Sequence, residues 1–297
     1  VKRAQYRTER YAVDLVLPSD SLPVKKGSIV AYSGESGAGA PHLHFEKRLT
    51  DEYPLNPLTH GFSLPDKVRP TFSRVGFQQV DDRSLFENGQ RKWFRPVRQG
   101  RGAGKFVLDS VPYFNSPFGI LINGNDRTRA EGMRQAIPFL RLEIDGRPMY
   151  ESRFDTLSFA TGKSVYFEYD YEQANDGDQT VRRLFRWSSN AFAGSRGING
   201  SDGVIGMPPV QVGRHTARII AQDSYGNTSE LSFDFLMGPA GPLLPLDSVM
   251  RAGADTARFF FSAGPGYSAL GIDSTVVRFN VADKWGPTPN AVVHRLR

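Results

Sequence analysis

The run HTARIIAQD (215 to 223), the turn Ser224-Tyr225-Gly226-Asn227 and the run SELSFDF (229 to 235) constrain this chain more than any other stretch. Alternating runs on either side of a turn in which Gly and Asn can take positive φ predict a β-hairpin with one buried face. Comparable runs recur at FGILING (118 to 124), FLRLEIDG (139 to 146), SVYFEYDY (164 to 171) and RRLFRW (182 to 187). Long 3.6-residue patterns are scarce and turn residues are frequent, so the chain reads as mainly β. Strands at this spacing predict an immunoglobulin-like β-sandwich over 66–237, embellished by long excursions such as Ser188 to Gly206. One short polar helix is expected near Asp126 to Gln135.

The prolines of GPAGPLLPL, 238–246, lack amide donors and cannot hold a regular ladder, which predicts a linker. Beyond it, ARFFFSAG and STVVRFNVAD predict the start of a further β unit over 247–297, expected to be incomplete. No apolar run approaches the roughly 20 residues that span a bilayer as a helix. The net charge of +6 comes from cations scattered among acids. No dense basic stripe argues for nucleic acid.

The N-terminal stretch has a different character. VKKGSIVAYS (24 to 33) sets Val24, Ile29 and Ala31 around a turn at Gly27. GESGAGAPHLHFEKR (34 to 48) follows, with two of the five histidines one residue apart. In a strand, His42 and His44 would share a face with Cα atoms roughly 6.6 to 6.8 Å apart, so two imidazoles could converge on one small volume. Glu46 would fall on the same face, placed to orient a ring, while Leu43 would point into a core. Gly34, Gly37 and Gly39 would let the backbone approach a metal or an extended peptide without Cβ interference. Asn56-Pro57 then forces a turn, and a domain boundary is expected near Pro65.

With no cysteine in the chain, any metal must sit on His and carboxylates. H-x-H alone is a weak signal, but its surroundings are more specific. The Val-Lys-Lys-Gly turn, the Tyr-Ser-Gly-x-Ser-Gly loop, the Pro-His-Leu-His-Phe-Glu strand and the later Leu-Asn-Pro-Leu exit closely resemble the last block of the lysostaphin-type (LytM-type) zinc endopeptidases. Ala40 stands where that family usually has Gly. The resemblance implies that residues 1–65 are the C-terminal part of such a β peptidase domain. It further implies a bacterial cell-envelope location, periplasmic or extracellular, and cleavage of peptide bonds in peptidoglycan by a zinc-activated water. It assigns His44 as a zinc ligand and His42 as the catalytic histidine.

The family also needs an upstream His and Asp and a further His on a preceding strand. Before His42 this chain has no histidine, and its only acids are Glu9, Asp14, Asp20 and Glu35. A catalytic zinc takes about three protein ligands. The expectation is therefore an N-terminally truncated, inactive piece of a zinc metalloendopeptidase. The alternative is a non-catalytic envelope protein that binds or regulates with a degenerate peptidase domain. His60, His215 and His294 are expected at the surface or in turns.

Other candidates are weaker. Asn175-Asp176-Gly177-Asp178 and Asn123-Gly124-Asn125-Asp126 resemble fragments of a calcium loop but lack its full spacing and its distal Glu, so polar turns are expected. Tyr166, Phe167, Tyr169 and Tyr171 could offer a platform for sugars, although core packing accounts for most of them. No G-x-S-x-G elbow, P-loop or dinucleotide fingerprint occurs.

Overall fold

The computed structural model describes residues 1–238 apart from 19, 35–38, 63, 81–90, 130, 179 and 207–209. Beyond Gly238 it describes the backbone of four short strands. The chain divides into two compact units, Val1–Phe45 and Glu46–Arg297.

In the first unit, α1 (Lys2–Thr8) ends at Glu9, which takes the left-handed conformation at φ 54°. The expected turn is present: Ser28 N donates to the Lys25 carbonyl at 3.0 Å, and Gly27 sits at φ 89°. No strand forms here among the described residues, so the strand expected over His42 to Lys47 is not found; strand structure begins only at Lys47. Ala4 is the one buried residue among those described. Val24, Ile29, Tyr32 and Leu43, which a sheet would cover, are exposed. A strand needs a neighbour for its amides as well as cover for its apolar face, and neither is supplied within this unit.

The second unit is mainly β, as expected. Its strands begin with β1 (Lys47–Thr50), β2 (Tyr53–Leu55), β3 (Thr71–Gln79), β4 (Lys92–Pro96), β5 (Arg98–Gln99), β6 (Lys105–Val107) and β7 (Tyr113–Phe114). They continue with β8 (Phe118–Asn125), β9 (Phe139–Ile144), β10 (Arg147–Arg153), β11 (Val181–Arg183), β12 (Ser195–Gly197), β13 (Gly213–Gln222) and β14 (Thr228–Met237). One sheet has the order β12-β10-β9-β13-β14-β6-β5, with β7 also on β14, and the other runs β11-β8-β3-β4. Past residue 245, β15 (Leu246–Arg251) and β16 (Ala257–Phe261) form an antiparallel pair, and β17 (Thr275–Val276) pairs with β18 (Arg295–Leu296). The expected linker lies mostly outside the described residues.

The hairpin that constrained the sequence reading forms in full register, from Gly213 opposite Met237 to Gln222 opposite Thr228. Period-2 burial follows: Ala217, Ile219 and Ala221 on β13, and Leu231, Phe233 and Phe235 on β14, all face the core. Gly226 takes positive φ at 89°, and Asn227 does not. Residues of both sheets join in one core cluster, Phe77, Phe118, Ile120 and Ile122 with Leu140, Leu142, Phe233 and Phe235 among them, which makes the two sheets a β-sandwich. Phe114 stacks on Phe118 at 3.7 Å between ring centroids. Each buried Phe contributes about 1.5–3 kcal/mol of transfer free energy.

Several expectations need correction. The stretch 126–135 is not a helix but a loop closed by an antiparallel bridge, with Asp126 N to Gln135 O at 3.0 Å and Gln135 N to Asp126 O at 2.9 Å. It offers no apolar stripe to bury, and Gly132 turns the chain back on the Arg129 carbonyl at 2.8 Å. The run 164–171 is not a strand either: it forms a 3-10 helix, Gly162–Glu168, followed by α2 (Tyr171–Asn175). Asp170 caps α2 by accepting from Gln173 N. RRLFRW keeps only Val181–Arg183 as strand.

Residues 46–65 belong with the sandwich unit, so the division falls well before the boundary expected near Pro65. Leu157 N donates to Pro54 O at 2.9 Å, Asn56 N to Asp155 O at 2.7 Å, and Asn56 Nδ2 to Ser224 Oγ at 3.1 Å. Glu52 accepts from Ser158 Oγ at 2.6 Å and from the Ala160 amide at 2.5 Å.

Candidate functional site

His42 and His44 are both exposed and lie in irregular chain, so no strand face aligns them. His42 Nδ1 is 2.8 Å from the Ala40 carbonyl. A carbonyl can only accept, so Nδ1 carries the proton and a neutral His42 keeps its lone pair on Nε2. That is the tautomer a base or ligand at Nε2 requires. Gly39 takes φ 86°, which accounts for Gly at that position on backbone grounds alone. Gly34 and Gly39 have open space where a Cβ would stand, while Gly37 lies outside the described residues. Glu46 is in the second unit, where Arg48 binds its Oε2 through Nε at 2.7 Å and Nη2 at 2.5 Å, a partner the sequence reading did not name.

The zinc expected from the resemblance can be tested against the donors present. Among the described residues, one group of three or more metal-ligating side chains converges, Asp66, Asp126 and Asp223, and neither His42 nor His44 belongs to it. Two histidines without a third convergent donor do not make a catalytic zinc site. The described residues therefore do not fit the ion at that position, and no chemical step is derived through it.

His60 lies in a turn, as expected, whereas His215 departs from the surface-or-turn expectation: it sits on β13 with its side chain only 12% exposed. His60 Nδ1 is 2.9 Å from the Asn56 carbonyl in the Asn56-Pro57 turn. His215 bridges Asp145 Oδ2 and the Gln211 carbonyl, both at 2.7 Å, and packs on Phe235 with 5.4 Å between ring centroids. His294 lies outside the described residues. Of the four aromatics at 166–171, Tyr169 is stacked on Phe154, whereas Tyr166 and Tyr171 are exposed. The two calcium-loop fragments resolve differently. Asp178 is held by Arg74 at 2.8 Å and by Thr180, and Asn123 reaches the same carboxylate. Asp126 turns elsewhere.

Sequence reasoning missed a charged cluster inside the sandwich. Glu168 is fully buried and accepts from Tyr150 Oη at 3.1 Å, Ser152 Oγ at 2.5 Å and Asn190 Nδ2 at 2.9 Å. The Arg182 guanidinium lies 3.7 Å from its Oε2 and 4.1 Å from the Phe154 ring centroid. Burial, with the Glu168 charge beside it, pushes the Tyr150 hydroxyl above the ordinary tyrosine range. The Glu168 carboxylate is well paired, although Arg182 Nε is buried without a hydrogen-bond partner, and the geometry is that of a structural network.

Comparison with known proteins finds no matching family model, no matching curated protein and no matching solved structure. What the fold defines is a mainly β protein whose sandwich follows an open N-terminal segment.

Proposed function

We propose that the N-terminal unit, Val1–Phe45, belongs to a lysostaphin-type zinc metalloendopeptidase module of the bacterial cell envelope. Peptidoglycan or another cross-linked peptide is the substrate, and the sandwich positions the module on wall or partner protein. In this reading His44 is a zinc ligand and His42 is the catalytic histidine; the described residues offer no third convergent donor beside them.

One observation carries the reading. The segment that resembles the family block has the alternation of a half-buried strand, yet Leu43 within it is 84% exposed. Side chains chosen for a core but left in solvent are what remains of a sheet when its other strands are supplied elsewhere. The Nδ1-protonated form of His42 adds support, because it leaves Nε2 the lone pair that general-base work requires.

The test uses the protein as the cell produces it. Expected results are about one zinc per chain and chelator-sensitive cleavage of cross-linked muropeptides, abolished in His44→Ala. For the 297-residue chain, zinc binding is expected to be weak and hydrolysis absent. Tight stoichiometric zinc in that chain would contradict the assigned ligand set. A complete product that binds peptidoglycan without zinc or cleavage would establish the second reading, a non-catalytic envelope protein, which the lack of a third convergent donor among the described residues favours.

A further inference from the structure

Three carboxylates from distant parts of the second unit meet near one end of the sandwich. Asp66 precedes β3, Asp126 follows β8, and Asp223 follows β13 at the mouth of its hairpin. The β3–β8 pairing, with Thr71 opposite Asn125, brings the approach to one strand beside the exit of the other. Each residue places a carboxylate oxygen within 4.8 Å of those of the other two.

The turn chemistry accounts for only part of this arrangement. Asp223 Oδ1 accepts from the Tyr225 and Asn227 amides, both at 2.8 Å, and its Oδ2 from Asn227 Nδ2 at 2.6 Å. Asp66 Oδ1 accepts from Val68 N at 2.8 Å. Two oxygens are left over. Asp126 is 4% exposed and its Oδ1 is buried with no hydrogen-bond partner; Asp66 Oδ2 is likewise buried without one. Among the described residues, no Lys, Arg or His forms an ion pair with any of the three. A buried carboxylate oxygen lacking both a donor and a counter-charge is unfavourable, and it is relieved either by a proton or by a cation. Burial, opposed by a hydrogen bond from the Arg127 amide and helped by the charges of Asp223 and Asp66, pushes the Asp126 carboxyl up to about 6. Asp126 also lines a cavity of about 200 Å³, shared with Asn56, Gln135, Ser224 and Tyr225.

We propose that Asp66, Asp126 and Asp223 bind a hard divalent cation, Ca²⁺, that ties the segment entering β3, the end of β8 and the β13–β14 hairpin together. The donors are all oxygen, as such a cation requires. Their mutual separations fit within the about 5 Å that two oxygens span across a Ca²⁺ at about 2.3–2.6 Å. The local fragment Asn123 to Asp126 lacks an EF-hand's spacing because this site is assembled from three separate segments of the chain. It is independent of the peptidase reading.

The experiment uses the 297-residue chain freed of metals by chelation, then titrated with CaCl2 or MgCl2 by calorimetry and by thermal unfolding. Expected are one Ca²⁺ per chain with a Kd on the order of 10⁻⁴ M or tighter, a Tm raised by several degrees at saturation, and Mg²⁺ at least tenfold weaker. Asp126→Asn keeps the shape of the side chain while removing one charge and the buried lone-pair deficit. It is expected to fold with an unchanged or higher metal-free Tm and to lose at least tenfold in Ca²⁺ affinity. Asp66→Asn serves as a second variant with the same expectation for binding. No heat and no Tm shift up to 10 mM Ca²⁺, Mg²⁺ binding as tight as Ca²⁺, or wild-type affinity in both variants would overturn the proposal.

Discussion

Leu43 and Leu142 both occupy alternating apolar-polar runs, yet Leu43 is 84% exposed and Leu142 is fully buried. Leu142 lies on β9, hydrogen-bonded to β10 on one side and β13 on the other. Leu43 lies in the N-terminal unit, where no strand forms among the described residues. The contrast separates two kinds of information in a sequence. A pattern such as PHLHFE specifies which face a strand would bury, whereas the energy to hold it comes from non-local partners. The N-terminal unit thus shows no strand among its described residues, whereas the sandwich has a complete core.

Predictions follow that comparison from its strongest contrast downward. Glu168→Ala removes one member of the buried network and leaves the Arg182 charge uncompensated. It should cost about 3–5 kcal/mol in urea unfolding of the chain. Leu142→Ala should cost about 2–5 kcal/mol by opening a cavity between the sheets. Leu43→Ala, equally drastic on paper, should change stability by less than about 0.5 kcal/mol. If the Leu43 and Leu142 variants were equally destabilising, the distinction between the two regions would fail.

Acid should act on the sandwich in two opposite senses. Burial raises the Glu151 carboxyl, but hydrogen bonds from Arg196 and Arg141 outweigh it and hold the group below the usual carboxylate range. Its contribution is present above the unfolded value of about 4.3 and is lost as pH falls through the lower folded value. Glu151→Gln should therefore lower stability at pH 7 and flatten the acid limb of a Tm-against-pH curve. Asp126 runs the other way. With its folded value raised to about 6, its contribution is complete below the unfolded value of about 3.9 and is lost as pH rises through 6. In chelator, Tm should show an added rise between pH 7 and pH 5 that is missing in Asp126→Asn. A small effect is also expected of Arg48→Ala, which removes the partly exposed ion pair with Glu46 and should cost less than about 1 kcal/mol.

Much of the sandwich was legible in sequence. The hairpin of β13 and β14 announced itself by alternation and by the Ser-Tyr-Gly-Asn turn, and β9 by the run FLRLEIDG; its hairpin partner β10 was not read, although Asp145 and Gly146 both take positive φ at the turn between them. The run 164–171 misled because its aromatics alternate like a strand. What decides its shape is Glu168, whose hydrogen-bond partners Tyr150, Ser152 and Asn190 lie on other segments and leave no local trace. Asp126 was noticed for its neighbours in sequence, whereas its chemistry depends on Asp66 and Asp223. The one local sign was Asp223 with Gly226 and Asn227, a carboxylate that both closes a turn and faces inward.

The sandwich's margins have a further consequence. Three of its four edge strands are only two or three residues long: β5, β11 and β12. The fourth, β4, carries Lys92 and Arg95 and stops at Pro96. Such edges are poor templates for a second chain. When this protein is concentrated or stressed, the self-association hazard therefore moves away from the sandwich, to the exposed apolar side chains of Ile29, Val30, Tyr32 and Leu43.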